Sequence, residues 1–149
     1  MDVTRDKPPS NLVSVTLNKR HVPLLIDSGA CVSCLSHDFA LKIGAKITPV
    51  SEQVPENLLS VDGVPLRMVG QTEATVGLKG LLVPHVFVVI KDLYHKALVG
   101  MGFLQQTGCK LDMKANVASF YDDLVMLPFL ENLQAKRSCE QFFDLWFQP

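Results

Sequence analysis

The 149 residues suit one domain, or one domain with tails, and a hydrophobic content of 48% is enough to build a core. Fourteen Lys and Arg against fifteen Asp and Glu leave a formal charge of −1, which supplies neither the basic footprint of a nucleic-acid binder nor an acidic solvating tail. No apolar run is long enough to cross a bilayer, and the polar opening around Pro8 and Pro9 is not a secretory signal, so a cytoplasmic chain with no membrane or nucleic-acid partner is expected.

Residues 1–10 read as a flexible tail. Over 11–18 apolar and polar side chains alternate through Leu12, Val13, Ser14, Val15, Thr16 and Leu17, the period of a half-buried strand. Asn18, Lys19 and Arg20 make a turn, and 21–26 is a second strand ending in an apolar run. Asp27-Ser28-Gly29-Ala30 interrupts the pattern, and strand character resumes over 31–35. Ser36 is suited to cap a short helix over 37–43, with Asp38 in its first turn and Gly44 past its end.

After a loop over 49–55, short strands at 58–61 and 64–69 flank Asp62-Gly63, a dipeptide favoured in two-residue hairpin turns. A strand over 71–78 turns at Lys79-Gly80 into 81–90, an apolar run broken by Pro84 and His85. Ala97-Leu98-Val99 is short and apolar, 103–107 suits one or two helical turns before Gly108, and 109–113 with 117–121 forms a last hairpin. Many short strands with one or two short helices predict a mostly β domain, barrel or sandwich in character, over 11–121. The remainder, 122–149, reads as a C-terminal extension. Its aromatic residues fall partly at helical intervals, predicting a helix between 128 and 147 that packs on the domain or on a partner.

Cys31, Cys34, Cys109 and Cys139 are expected as free thiols in a reducing compartment. Cys31 and Cys34 have the spacing that zinc sites use, but no second pair follows and no His stands at finger spacing. No metal and no cofactor is expected. His21, His37, His85 and His95 are scattered and read as surface or strand-end residues.

The chemistry concentrates at Asp27. An acid placed directly after the apolar run Val22-Pro23-Leu24-Leu25-Ile26 and before Ser28-Gly29 is costly to bury unpaired. Taken alone, the triplet reads as a solvated turn. Its surroundings are more specific: Leu25-Ile26-Asp27-Ser28-Gly29-Ala30 resembles the active-site motif of retroviral and retrotransposon aspartic proteases. Ala97-Leu98-Val99-Gly100, continuing through Phe103 and Leu104, resembles that family's second signature, and 106–112 extends the likeness into a closing strand. The hairpin around Asp62-Gly63 falls between them, where the family places its flap. The resemblance spans residues 11–121.

The resemblance implies a retropepsin-like half-barrel with its active site at a homodimer interface. Asp27 is then the catalytic residue, one of two carboxylates that share a water and hold one proton between them. The chain has one such triplet and is short for a two-lobed enzyme, so the second carboxylate is expected from Asp27 of another copy. Ser28, Gly29 and Ala30 support the loop, Ser28 by bonding across the dimer. Val61, Asp62, Gly63 and Val64 form the flap tip, and Leu25, Val32, Leu98 and Val99 are pocket candidates, though each would also suit a β core. Many relatives pair an acid just after the loop with an Arg in the short helix. Cys31 and Met101 stand at those places here, so that ion pair is absent. The expected function is therefore an aspartic-type endopeptidase of LTR-retroelement origin acting on polypeptides. The alternative is a catalytically silent module of the same fold that serves in dimerisation or protein binding.

Overall fold

The computed structural model describes residues 11–60 and 62–130. The tail over 1–10, Val61, Cys139 and nearly all of the expected helix over 128–147 lie outside the described residues. Six strands close into a barrel. β1 (Leu12–Leu17) pairs antiparallel with β2 (Arg20–Ile26), joined by a turn in which Asn18 and Lys19 both adopt positive φ. That backbone twist matches the twist of the flanking strands, and Asn tolerates it better than most residues. β3 (Cys34–Ser36) leads into α1 (His37–Lys42), where the Ser36 Oγ accepts a hydrogen bond from the Phe39 N–H at 3.2 Å. Such a cap contributes about 1 kcal/mol.

β4 (Arg67–Leu78) and β5 (Leu81–Lys91) form the longest hairpin, closed by Lys79 and Gly80 in positive φ. β4 begins at Arg67 rather than 71, because a register shift between Met68 and Gly70 lets the strand bend and stay paired. β6 (Ala97–Val99) threads between β2 and β3, parallel to the first and antiparallel to the second. α2 (Met101–Thr107) follows and ends at Gly108, whose φ of +60° suits a residue without a Cβ. β4 returns to β1 through Thr16 beside Gly77, which closes the barrel.

Alternation along the strands divides the apolar residues between two clusters. Val13, Val15 and Leu17 meet Val22, Leu24 and Ile26 in the main core, with Phe87, Phe103 and Phe120 fully buried among them. Each such ring contributes about 1.5–3 kcal/mol through burial. The opposite faces supply a second cluster, in which Cys34, Leu58, Val88, Ile90 and Leu98 pack with Leu25, Ala30, Val32, Leu66 and Met68.

A separate three-stranded sheet joins β7 (Lys110–Asp112), β8 (Val117–Phe120) and β9 (Val125–Pro128). The described part of the extension, up to 130, is thus strand and not helix at 125–128. Val125, Leu127 and Phe129 alternate into the main core, and Phe129 bridges to Val13 of β1. Two-residue periodicity beside a partner strand decides the local structure here. Among the described residues no helix is long and apolar enough to cross a membrane.

Candidate functional site

At the end of β2 the chain leaves the sheet and is laced to the segment that joins β6 to α2. The Asp27 N–H donates to the Val99 carbonyl at 3.0 Å, continuing the parallel pairing of Ile26 with Val99. The Ala30 N–H donates back to the Asp27 carbonyl at 3.1 Å, closing a tight turn, and the Met101 N–H donates to the Ala30 carbonyl at 3.0 Å. The Gly100 N–H donates to the Ser33 Oγ, also at 3.0 Å. The expected strand over 31–35 begins only at Cys34, after the Ala30 and Ser33 groups that bond to Met101 and Gly100. Gly100 permits the lacing: a Cβ there would sit 2.6 Å from the Ala30 carbonyl oxygen and 2.9 Å from that of Val32.

The Asp27 carboxylate is oriented locally. Its Oδ1 accepts the Gly29 N–H at 3.1 Å, a turn that short acidic side chains make with their own backbone. Asp27 is half-buried, whereas Ser28 and Gly29 are exposed. Strand alternation puts it on the side of Leu25, and so on the side of the second cluster, which holds Ala30, Val32 and Leu98. Val99 is a correction: it belongs to the main core and is fully buried, because one step along β6 from Leu98 turns a side chain to the other face.

The hairpin over 58–66 covers the same cluster. Leu58 and Leu66 are in it, and the Leu66 N–H donates to the Leu58 carbonyl at 2.7 Å. The turn closes between Ser60 and Val64, whose backbones bond at 2.8 Å, and the Gly63 N–H donates to the Ser60 carbonyl at 2.9 Å. Three residues therefore lie between the paired positions instead of two, with Gly63 at φ +78°, the position such loops reserve for glycine. Asp62 and Gly63 are exposed, and Leu59 and Val64 each keep 59% of their surface in solvent.

Comparison with known proteins reaches the same place. The sequence matches the family described as "gag-polyprotein putative aspartyl protease" over residues 13–106, a span holding the Asp27 loop, the hairpin, β6 and most of α2. The chain belongs to this family. Among solved structures, the retroviral protease-like domain of Ddi1 from Leishmania major is similar with a TM-score of 0.64 and 25% identity, covering 82% of this chain and 91% of that one. The EIAV protease complexed with the inhibitor HBY-793 is similar with a TM-score of 0.55 and 21% identity, covering 75% and 97%. No curated protein sequence matches. The fold is retropepsin-like: mostly β, barrel-forming, with two short helices among the described residues.

In this gag-type aspartyl protease domain, the ion pairs among the described residues are Arg67 with Asp92 and Lys110 with Asp123, neither of them at the Asp27 loop. Cys31 is exposed and Cys34 buried, and no group of three metal-ligating side chains gathers among the described residues. Sequence reasoning missed two histidines. His85 reaches Ser33, with 2.8 Å between its Nε2 and the serine Oγ. Burial pushes the His95 pKa down, and the Asp27 carboxylate pulls it partly back up, so the two groups share an electrostatic neighbourhood. No local signal marks either residue, since both relations join segments far apart in the chain.

Cys34 supplies a pH test of the packing beneath the loop. Burial, with smaller contributions from Cys31 and Asp27, pushes its thiol from the ordinary 9.0 to about 12. Through that window the folded state keeps a proton that the unfolded state has released. Stability is therefore intact below the unfolded value and falls as pH rises, by up to ~1.4 kcal/mol per pH unit. Urea unfolding at about pH 8 and about pH 10 should show a smaller loss in Cys34→Ala than in the parent, and equal losses would place the thiol in water.

Proposed function

We propose that two copies of the chain form one aspartic-type endopeptidase site, each supplying Asp27 as a catalytic residue. The carrying observation is the loop itself. A half-buried carboxylate is held by its own Gly29 N–H, on a turn fixed to β6 and α2, next to an apolar cluster on which the 58–66 hairpin also packs. A two-fold axis through this loop would bring the two carboxylates together around one water. One would take a proton from the water as its oxygen bonds to the scissile carbonyl carbon. The other would donate its proton to the carbonyl oxygen, giving a tetrahedral adduct. Collapse of the adduct breaks the C–N bond: the carboxyl that took the water's proton would pass it to the departing amine, and an adduct hydroxyl would give its proton back to the other carboxylate as the carbonyl re-forms.

Ser28 would bond across to the partner's loop, and Gly29 and Ala30 would leave room for the substrate backbone. The hairpin tip at Val61, Asp62, Gly63 and Val64 would close over a peptide held as an added strand. Leu25, Val32 and Leu98 offer apolar contacts, which favours an extended polypeptide with apolar side chains near the cut. Membership of a gag-polyprotein family supports an origin in an LTR retroelement and a polyprotein as substrate. Purified chain should cleave such peptides best at mildly acidic pH, and a statine-bearing inhibitor should block cleavage with one inhibitor bound per two chains. Folded protein that neither cleaves nor binds the inhibitor would instead be the silent dimerisation module.

A further inference from the structure

We propose that His85 is a positioning residue for the Asp27 loop, acting through the Ser33 hydroxyl and the Gly100 N–H; this rests on the endopeptidase reading above. Ser33 is buried, at 5% exposure, so its hydroxyl needs partners inside the protein. Its Oγ accepts the Gly100 N–H at 3.0 Å and lies 2.8 Å from the His85 Nε2. A hydroxyl has one proton to give, and a neutral imidazole protonated at Nδ1 presents Nε2 as the acceptor for it. Burial favours that neutral form, since it lowers the His85 pKa. The result is a chain of two hydrogen bonds from the Gly100 N–H through Ser33 to His85.

His85 is well placed to be the fixed end. It lies opposite Ala74 within the long pairing of β4 with β5. Its ring meets Phe87 and Phe103 edge-on, with centroids 5.3 Å and 5.0 Å away. Phe103 belongs to α2, the helix that Gly100 starts. The other end is Gly100. The Gly100 N–H is flanked by the Asp27-to-Val99 and Met101-to-Ala30 bonds, so a shift of Gly100 moves both ends of the tight turn that carries Asp27. Small misplacements of a reacting group cost heavily, about 10²-fold for 1 Å.

His85→Leu keeps an apolar side chain between the phenylalanines but leaves the Ser33 proton without its acceptor. His85→Gln can offer Oε1 in place of Nε2. Peptide cleavage and amide hydrogen exchange on both variants, with Asp27→Asn in parallel, test the proposal. His85→Leu should lower kcat about tenfold or more with KM within about twofold, and speed exchange at the Gly100 and Met101 amides about tenfold while the β4–β5 amides keep their rates. His85→Gln should restore most of both. Unchanged kcat and Gly100 exchange in His85→Leu, or a uniform rise in exchange across the barrel, would overturn the positioning role. Cleavage that survives Asp27→Asn would overturn the endopeptidase reading instead, and the exchange data would still decide whether His85 braces the loop.

Discussion

Asp27→Asn should leave the chain folded and reduce peptide cleavage by at least about 10³-fold, the scale of a lost general acid or base. The fold should survive because the group that the carboxylate bonds can be kept. Asn offers a carbonyl oxygen where Oδ1 now accepts the Gly29 N–H, and the site is half-buried with no ion pair there among the described residues. A stability change within about 0.5 kcal/mol is expected. An amide, however, cannot take a proton from water or share one with a facing carboxylate. Steady-state cleavage assays and urea unfolding on the same preparation separate the two effects. Cleavage at the parent rate would remove Asp27 from the chemistry, and an unfolded variant would make it structural.

Gly100→Ala should cost both stability and cleavage. The backbone at Gly100 has φ −101° and ψ −168°, extended values open to any residue, so the constraint is space and not conformation. The new methyl would meet two carbonyl oxygens, those of Ala30 and Val32, at distances real Cβ atoms do not show. Backbone cannot rotate away as a long side chain can. Relief must come from lengthening the bonds that lace residues 27–33 to residues 99–101, at a cost of about 2 kcal/mol or more and with Asp27 displaced. Gly102, two residues on, is the control. A Cβ there meets nothing within 4 Å, and Gly102→Ala within α2 should be neutral or stabilising by up to about 1 kcal/mol. Equal stabilities for the two variants would mean that the loop is looser than described.

Local chemistry made much of this fold legible in the sequence. Alternation marked β1, an apolar run after the Asn18-Lys19-Arg20 turn marked β2, Ser36 announced α1, Gly108 ended α2, and Lys79-Gly80 closed the longest hairpin. Each of these depends on neighbours within a few residues. The Asp27 loop was legible for another reason, its resemblance to a family motif. What stayed hidden depends on distant partners. Residues 31–33 read as strand, but the Ser33 carbonyl and hydroxyl serve Val88, Gly100 and His85. Residues 125–128 looked like part of an aromatic extension until β8 supplied a pairing edge. Leu98 and Val99 are equally apolar, and only the register of β6 against β2 assigns one to the candidate pocket and the other to the core. His85 and Ser33 stand 52 positions apart, a separation at which no sequence spacing carries a signal.

The shared site is tested most directly by mixing. Asp27→Asn chain is titrated into a fixed amount of parent chain, well above the concentration at which copies separate, and peptide cleavage is followed after exchange. If each site needs an Asp27 from both copies, random pairing makes activity track the parent fraction, falling to about half at equal amounts and about a tenth at ninefold excess. Activity that stays constant as the variant is added would mean that one chain, with one aspartate, does the work alone.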